Sequence, residues 1–135
     1  MSLQHAAIEL LDYAAKTLGG LAEGDIRPED CRFASAKLGQ AAKRLRVEPC
    51  RPEDVQETFN LMNQARPQLQ ALRDMRLPEH FDGWVTVACE AFNATLDLLD
   101  GLKAYQKVRL DQPEARSLKL GLRKLLPAGW WGSHV

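Results

Sequence analysis

Proline–glutamate pairs mark the predicted helix starts of this chain. The pair occurs four times, at Pro28-Glu29, Pro52-Glu53, Pro78-Glu79 and Pro113-Glu114, each before apolar residues spaced three or four apart. Proline suits the first turn of a helix because an N–H there would have no helical partner and because its φ is already helical. The glutamate behind it faces the positive end of the helix dipole. Together with the N-terminal segment, these starts predict five helices and no strand.

The apolar periodicity and the glycine and proline positions set the expected helix limits. We expect helices over residues 2–18, 28–46, 52–77, 78–109 and 111–126. Gly19-Gly20 is expected to stop the first helix with a left-handed cap, and Pro67 to kink or break the third. The predicted fold class is all-α. We expect a mostly antiparallel bundle of four main helices plus a shorter C-terminal helix, as one domain over 1–127 with a tail over 128–135.

The fourth predicted helix has only a narrow polar stripe and is apolar around most of its circumference. Such a helix must be packed on several sides. At about 1.5 Å per residue it would also be longer than a domain of this size is wide. Either Gly83 or Gly101 interrupts it, or one end extends beyond the bundle and meets another subunit. The sequence therefore predicts that its own neighbours cannot cover all of its apolar surface.

Composition excludes some function classes. Eighteen basic and eighteen acidic residues cancel, which removes the electrostatic case for wholesale attraction to nucleic acid or membranes. The apolar runs are too short to span a bilayer, and Glu9 and Asp12 near the N-terminus argue against a signal peptide. Three widely spaced cysteines predict a reduced, cytoplasmic protein in which Cys50, between two prolines, is the most exposed thiol. The excess of arginine over lysine is typical of GC-rich bacterial sources.

No sequence pattern indicates a catalytic, cofactor or metal site. Neither a Ser–His or Cys–His nucleophile motif nor a glycine-rich phosphate loop is present. His5 and Glu9 stand one helical turn apart, but no second pair completes a metal site. We therefore expect a non-enzymatic protein with no cofactor. A third hypothesis is an enzyme whose catalytic groups come together only in the folded structure.

Excess apolar surface makes protein–protein interaction the leading hypothesis. We expect a small cytoplasmic interaction module, such as an adaptor, a regulator or a chaperone-like binder, that works through helical faces and associates with itself as a dimer. The predicted contact residues are Trp84, Leu126, Trp130 and Trp131. The acidic stretch 79–100 and the more basic stretch 103–124 could complement each other across such an interface.

The alternative hypothesis is a nucleic-acid-binding regulator. Its basic residues would lie on helix two (Lys37, Lys43, Arg44 and Arg46) or on the C-terminal helix (Arg116, Lys119 and Arg123). The connection between helices two and three resembles a helix-turn-helix, but Glu53 and Asp54 would then face DNA phosphates. The basic C-terminal helix with Trp130 and Trp131 could also lie on an anionic membrane surface.

Overall fold

The computed structural model describes residues 2–111 of the chain, with side chains for residues 2–108. Within that range it contains four helices and no strands: α1 (Leu3–Glu23), α2 (Pro28–Leu45), α3 (Pro52–Arg73) and α4 (Glu79–Asp111). The all-α prediction is confirmed. The predicted fifth helix and the tail lie outside the described residues. The chain divides into two compact units, Met1–Leu102 and Lys103–Val135, and the final turns of α4 belong to the second unit.

Consecutive helices of the first unit run antiparallel. Near the beginning of α1, the Gln4 side chain donates a 2.7 Å hydrogen bond to the carbonyl of Leu45 at the end of α2. Near the end of α2, Arg44 pairs with Asp54 in the first turn of α3, with 2.8 Å between Nε and Oδ1. Each contact joins the end of one helix to the beginning of the other, so α1, α2 and α3 alternate in direction.

The part of α4 in the first unit contacts both α1 and α3. The Trp84 ring lies over Gly20 near the end of α1, and Leu3 at the beginning of α1 lies against Gly101. The guanidinium of Arg66 on α3 lies 5.3 Å from the centre of the Phe92 ring. These contacts place α4 antiparallel to α1 and pack it against α3.

Leucine side chains from all four helices fill the interior of the first unit. The largest fully buried residues include Leu11, Leu18, Leu21, Leu38, Leu45, Met62, Leu72 and Leu99. Each such side chain contributes about 1.5–3 kcal/mol relative to exposure. Two buried threonines are satisfied within their own helices, because Thr58 donates to the carbonyl of Asp54 and Thr95 to that of Ala91. The interior is therefore apolar, with its hydroxyl groups paired.

The sequence Arg-Pro-Glu-Asp opens both α2 and α3 in the same register, with arginine at the cap and aspartate in the first turn. In α3, the Asp54 carboxylate accepts a 2.9 Å hydrogen bond from the backbone N–H of Arg51. In α2 the backbone of Arg27 is in the left-handed region, with φ of 39°. The Asp30 carboxylate there accepts a hydrogen bond from the side chain of Arg27 instead of from its backbone. The predicted starts at Pro28 and Pro52 are confirmed, although the two caps differ in detail.

The predicted end of the first helix at Gly19-Gly20 is wrong, because α1 continues to Glu23. A Schellman motif ends it: the N–H of Asp25 bonds to the carbonyl of Ala22, and that of Ile26 to the carbonyl of Leu21. The left-handed residue of this motif is Asp25, with φ of 63°. Gly20 instead lies in the helix interior, where a Cβ would come within 3.1 Å of the Trp84 ring. Close packing explains this glycine.

Of the predicted kink or break before Pro67, the break is wrong, because α3 is continuous from Pro52 to Arg73. Proline removes the hydrogen bond to the carbonyl of residue i−4, which here is Asn63. Both Pro67 and Asn63 are exposed, so water can satisfy that carbonyl. A proline on the solvent side is tolerated because the buried side of the helix keeps its packing.

Helix α4 is uninterrupted through Gly83 and Gly101, and it spans 33 residues. In the first unit its own chain covers much of its apolar surface. The buried residues are Val85, Ala88, Cys89, Ala91, Phe92, Thr95, Leu99 and Leu102. Trp84 is the large apolar residue of this part of α4 that remains exposed. The uncovered apolar surface is thus smaller than the sequence predicts, and it lies on one side of the helix.

Candidate functional site: the α1/α4 face

The α1/α4 face comprises two stripes of apolar, mostly small residues, one on each helix. On α1 the stripe is Leu3, Ala6, Leu10, Tyr13, Thr17 and Gly20; on α4 it is Trp84, Val87, Ala91, Ala94, Leu98 and Gly101. In both stripes the spacing alternates between three and four, which keeps the residues on one side of a helix. Most of them are half-buried or exposed.

Two contacts fix the register between these stripes. A Cβ on Gly20 would lie 3.1 Å from Trp84, and a Cβ on Gly101 would lie 3.3 Å from Leu3. The contacts are seventeen residues apart on both helices, so one antiparallel register satisfies both. The same register brings Tyr13 level with Ala91. Each of these levels combines a large residue with a small one, which allows the helices to approach closely.

Aromatic packing fixes the position of Trp84. Its ring meets the Phe81 ring edge-to-face, with 5.5 Å between ring centres. Phe81 in turn lies against Gly24, where a Cβ would come within 2.9 Å of the ring. One side of the Trp84 ring is therefore packed, while 42% of the residue stays exposed. Such a partly supported aromatic residue is typical of contact sites, because little side-chain entropy is lost on binding.

Three of the five exposed large apolar residues that the structure describes in the first unit lie on this face. Tyr13 is 53% exposed and Leu3 40%, and both belong to the same face as Trp84. Elsewhere in this unit, Phe33 on α2 and Val47 in a loop are also exposed. The second unit exposes Tyr105 and Val108 on the last turns of α4.

The exposed charged residues of α4 in the first unit have a single sign, and Asp97, next to Leu98, borders the face. Between residues 79 and 100 the helix carries no lysine or arginine, and its acidic residues are all exposed: Glu79, Asp82, Glu90, Asp97 and Asp100. Carboxylates beside an apolar surface would repel an anionic partner such as nucleic acid. They would also repel one another across an interface between two copies, an effect that salt screens.

Only one predicted protein-contact residue can be placed in the structure. Trp84 lies on the α1/α4 face and is 42% exposed. Leu126, Trp130 and Trp131 lie outside the described residues. Tyr13 and Leu3 are not among the predicted contact residues. The alternating spacing that ends at Gly20 is the signal that would have identified them.

The basic residues predicted for nucleic-acid binding do not form one surface on α2. Lys37 is half-buried, with its ammonium 5.4 Å from the centre of the Phe33 ring. Arg44 pairs with Asp54 on α3, whereas Arg46 pairs with Asp12 on α1. Lys43 is exposed. Arg116, Lys119 and Arg123 lie outside the described residues. Arg44 and Arg46, at the end of α2, thus reach different neighbouring helices, and acidic residues partly neutralise both.

The titratable groups near the beginning of α1 form exposed pairs. A cavity of about 580 Å³ opens there, beside Glu48 and the Arg46–Asp12 pair. His5 and Glu9 also border it, with 3.3 Å between Nε2 and Oε1, and both side chains are more than half exposed. Within residues 2–108, no cluster of three or more His, Cys, Asp or Glu side chains could hold a metal ion.

All three cysteines are free thiols, and their environments suppress ionisation. Burial raises the pKa of Cys31 to about 11, with a smaller rise from Asp30, and its thiol donates to the carbonyl of Ile26. Burial also raises the pKa of Cys50 and of Cys89. Cys31 and Cys89 are buried, and Cys50 is the most exposed of the three, as predicted. None has the lowered pKa of an activated nucleophile.

Comparisons with known proteins assign no family. No protein-family model, curated protein or solved structure matches the chain. Across the described helices, none combines the length and the apolar character that crossing a membrane requires.

Proposed function

We propose that the protein is a small, non-enzymatic, cytoplasmic interaction module that associates with itself through the α1/α4 face. The observation that carries this proposal is that Tyr13, Leu3 and Trp84, each at least 40% exposed, lie along one face. Apolar side chains grouped in this way usually meet a partner, whereas isolated ones need no explanation. The four antiparallel helices of the predicted bundle would act as a rigid support for that face.

The small residues between these side chains support contact with another helix. Ala6 on α1 and Ala94 on α4 are small and half-buried, so they leave shallow spaces between the larger side chains. Side chains of a second helix pair could fill these spaces, as ridges fit grooves. In a two-fold symmetric dimer each copy would supply both the larger side chains and the spaces, because the same surface meets itself.

Size-exclusion chromatography with light scattering tests this function on the full chain. Between low micromolar and near-millimolar concentration, the mass should rise above the 15.1 kDa of a single chain toward twice that value. Raising the salt concentration should strengthen the association or leave it unchanged, because salt screens repulsion between the acidic borders. A monomer at every concentration, in low and in high salt, would exclude self-association.

The nucleic-acid hypothesis predicts the opposite dependence on salt. Binding through lysine and arginine releases counterions, so affinity would fall steeply as salt rises. The ion pairs of Arg44 and Arg46 do not favour this hypothesis, although the exposed Arg46–Asp12 pair contributes only about 0–1 kcal/mol. A binding assay with single- and double-stranded nucleic acid at low salt separates the two hypotheses.

A further inference from the structure

A small cavity between α3 and α4 contains positive charge that no carboxylate on its lining neutralises. Its volume is about 110 Å³, and its polar lining residues are Arg66, Gln70, Arg73 and Asn93. Phe92 and Cys89 form an apolar floor, because both are less than a tenth exposed. The cavity lies away from the α1/α4 face, on the opposite side of α4.

Helical spacing explains why the two arginines meet at this cavity. Arg66, Gln70 and Arg73 are separated by four and then three residues, so they lie along one side of α3. The Arg66 guanidinium extends to α4, where it lies 5.3 Å from the centre of the Phe92 ring. Stacking on an aromatic ring holds a guanidinium in place while leaving its N–H groups at the edge.

Both guanidiniums keep donors for a ligand. Among the described residues neither Arg66 nor Arg73 forms an ion pair, and Arg66 donates a 3.0 Å hydrogen bond to the side chain of Asn63. Each guanidinium has five N–H donors, so most remain. The Gln70 amide faces Asp74 at 3.4 Å, which leaves Asn93 as the further amide donor. The Arg73 charge also acts inside the cavity, where it opposes the rise that burial causes in the pKa of Cys89.

We propose that this cavity binds an oxyanion, the carboxylate or phosphate group of a small ligand, between the guanidiniums of Arg66 and Arg73. Guanidiniums bind such groups through two parallel hydrogen bonds, and the volume suits one group of this size. An adjoining cavity of about 310 Å³ shares Arg73, Cys89 and Asn93 and would receive the remainder of the ligand. Glu90 and Asp82 line that second part, so the anionic group belongs at the Arg66 end.

NMR titration of the ¹⁵N-labelled full chain tests the site, with acetate, inorganic phosphate and chloride at matched ionic strength as probes. Acetate or phosphate should shift the signals of the Asn93 side chain and of the arginine Nε groups saturably, whereas chloride should not. A stronger response to acetate would identify a carboxylate ligand, and a stronger response to phosphate a phosphorylated one. Equal shifts with all three anions, or no saturable shift, would overturn the proposal.

Three single substitutions give expected changes in affinity. Arg73→Gln should weaken binding at least about tenfold, because a charge-assisted hydrogen-bond donor is lost. Glu90→Gln should strengthen it, because a nearby negative charge is removed. Arg32→Gln is the control, since Arg32 is exposed on α2 and does not line the cavity. If Arg32→Gln weakened binding as much as Arg73→Gln, the anions would be responding only to overall charge. All four proteins should show the same helical circular dichroism.

Discussion

Replacing Gly20 by alanine tests the packing of Trp84 on α1. In a helix interior alanine is more favourable than glycine by about 1 kcal/mol. At Gly20, however, the new Cβ would lie 3.1 Å from one ring atom of Trp84 and within 3.8 Å of two more. Overpacking of this kind costs about 1–3 kcal/mol. We therefore expect Gly20→Ala to lower the free energy of unfolding by about 1 kcal/mol.

Gly39 provides a matched control on α2. It also lies in a helix interior, but a Cβ there would have no neighbour within 4 Å. Gly39→Ala should therefore raise the free energy of unfolding by about 1 kcal/mol, the full gain in helix propensity. The two substitutions are chemically identical and should change stability in opposite directions. Urea unfolding followed by circular dichroism at 222 nm measures both values.

A double-mutant cycle assigns the difference to the tryptophan. With Trp84→Ala already in place, Gly20→Ala should become stabilising, because the ring that opposes the new Cβ is gone. The coupling between the two positions should then be about 2 kcal/mol, which is the strain that the ring imposes, because the gain in helix propensity is the same with and without Trp84. If Gly20→Ala stabilised the wild-type protein as much as Gly39→Ala does, the ring would not lie over α1 and the α1/α4 register would be incorrect.

Three further predictions concern the helix caps and a buried thiol. Asp25→Gly should stabilise the protein by about 1 kcal/mol, because the backbone of residue 25 is in the left-handed region, whereas Asp25→Ala should not stabilise it. Equal free energies of unfolding for these two variants would contradict the Schellman cap. Asp54→Asn should lower the free energy of unfolding by about 1–2 kcal/mol, because Asp54 is buried and binds Arg44 and the Arg51 N–H. The half-buried Asp30 occupies the same position in α2, and Asp30→Asn should lower it less in the same assay. The contribution of the protonated Cys31 thiol to the free energy of unfolding should be fully present below pH 9.0 and be lost as the pH rises toward about 11, because the raised pKa means that the folded protein holds the proton more tightly. If stability fell with pH equally steeply in a Cys31→Ala variant, this prediction would be refuted.

The starts of α2 and α3 could be predicted from the sequence because the interactions that begin a helix involve residues close together in the chain. Proline in a first turn and a carboxylate behind it act within a few residues, and α2 and α3 begin at Pro28 and Pro52 as expected. The stops were harder to predict. Gly20 has the same local properties as a capping glycine, and only the Trp84 ring, more than sixty residues away, gives it a different role. Pro67 is tolerated because it faces solvent, which depends on how α3 packs.

The candidate surfaces show the same limit of sequence information. The apolar excess of α4 was visible in the sequence, and Trp84 was identified from it. Which part of that excess remains exposed depends on α1, whose Gly20 and Leu3 contact α4 from a distant part of the chain. The α3/α4 cavity likewise combines Arg66 and Arg73 with Asn93 on another helix. Neither surface follows from the periodicity of one segment alone.

Sedimentation equilibrium of the Tyr13→Ser and Phe33→Ser variants tests the α1/α4 face most directly. Both residues are aromatic and exposed, at 53% and 43%, but Phe33 lies on α2, outside that face. Burying the exposed part of Tyr13 should contribute about 1 kcal/mol per copy, so Tyr13→Ser should weaken a symmetric dimer about 30-fold. Phe33→Ser should leave the dissociation constant unchanged. Equal weakening by both variants, or weakening by Phe33→Ser alone, would show that association does not use the α1/α4 face.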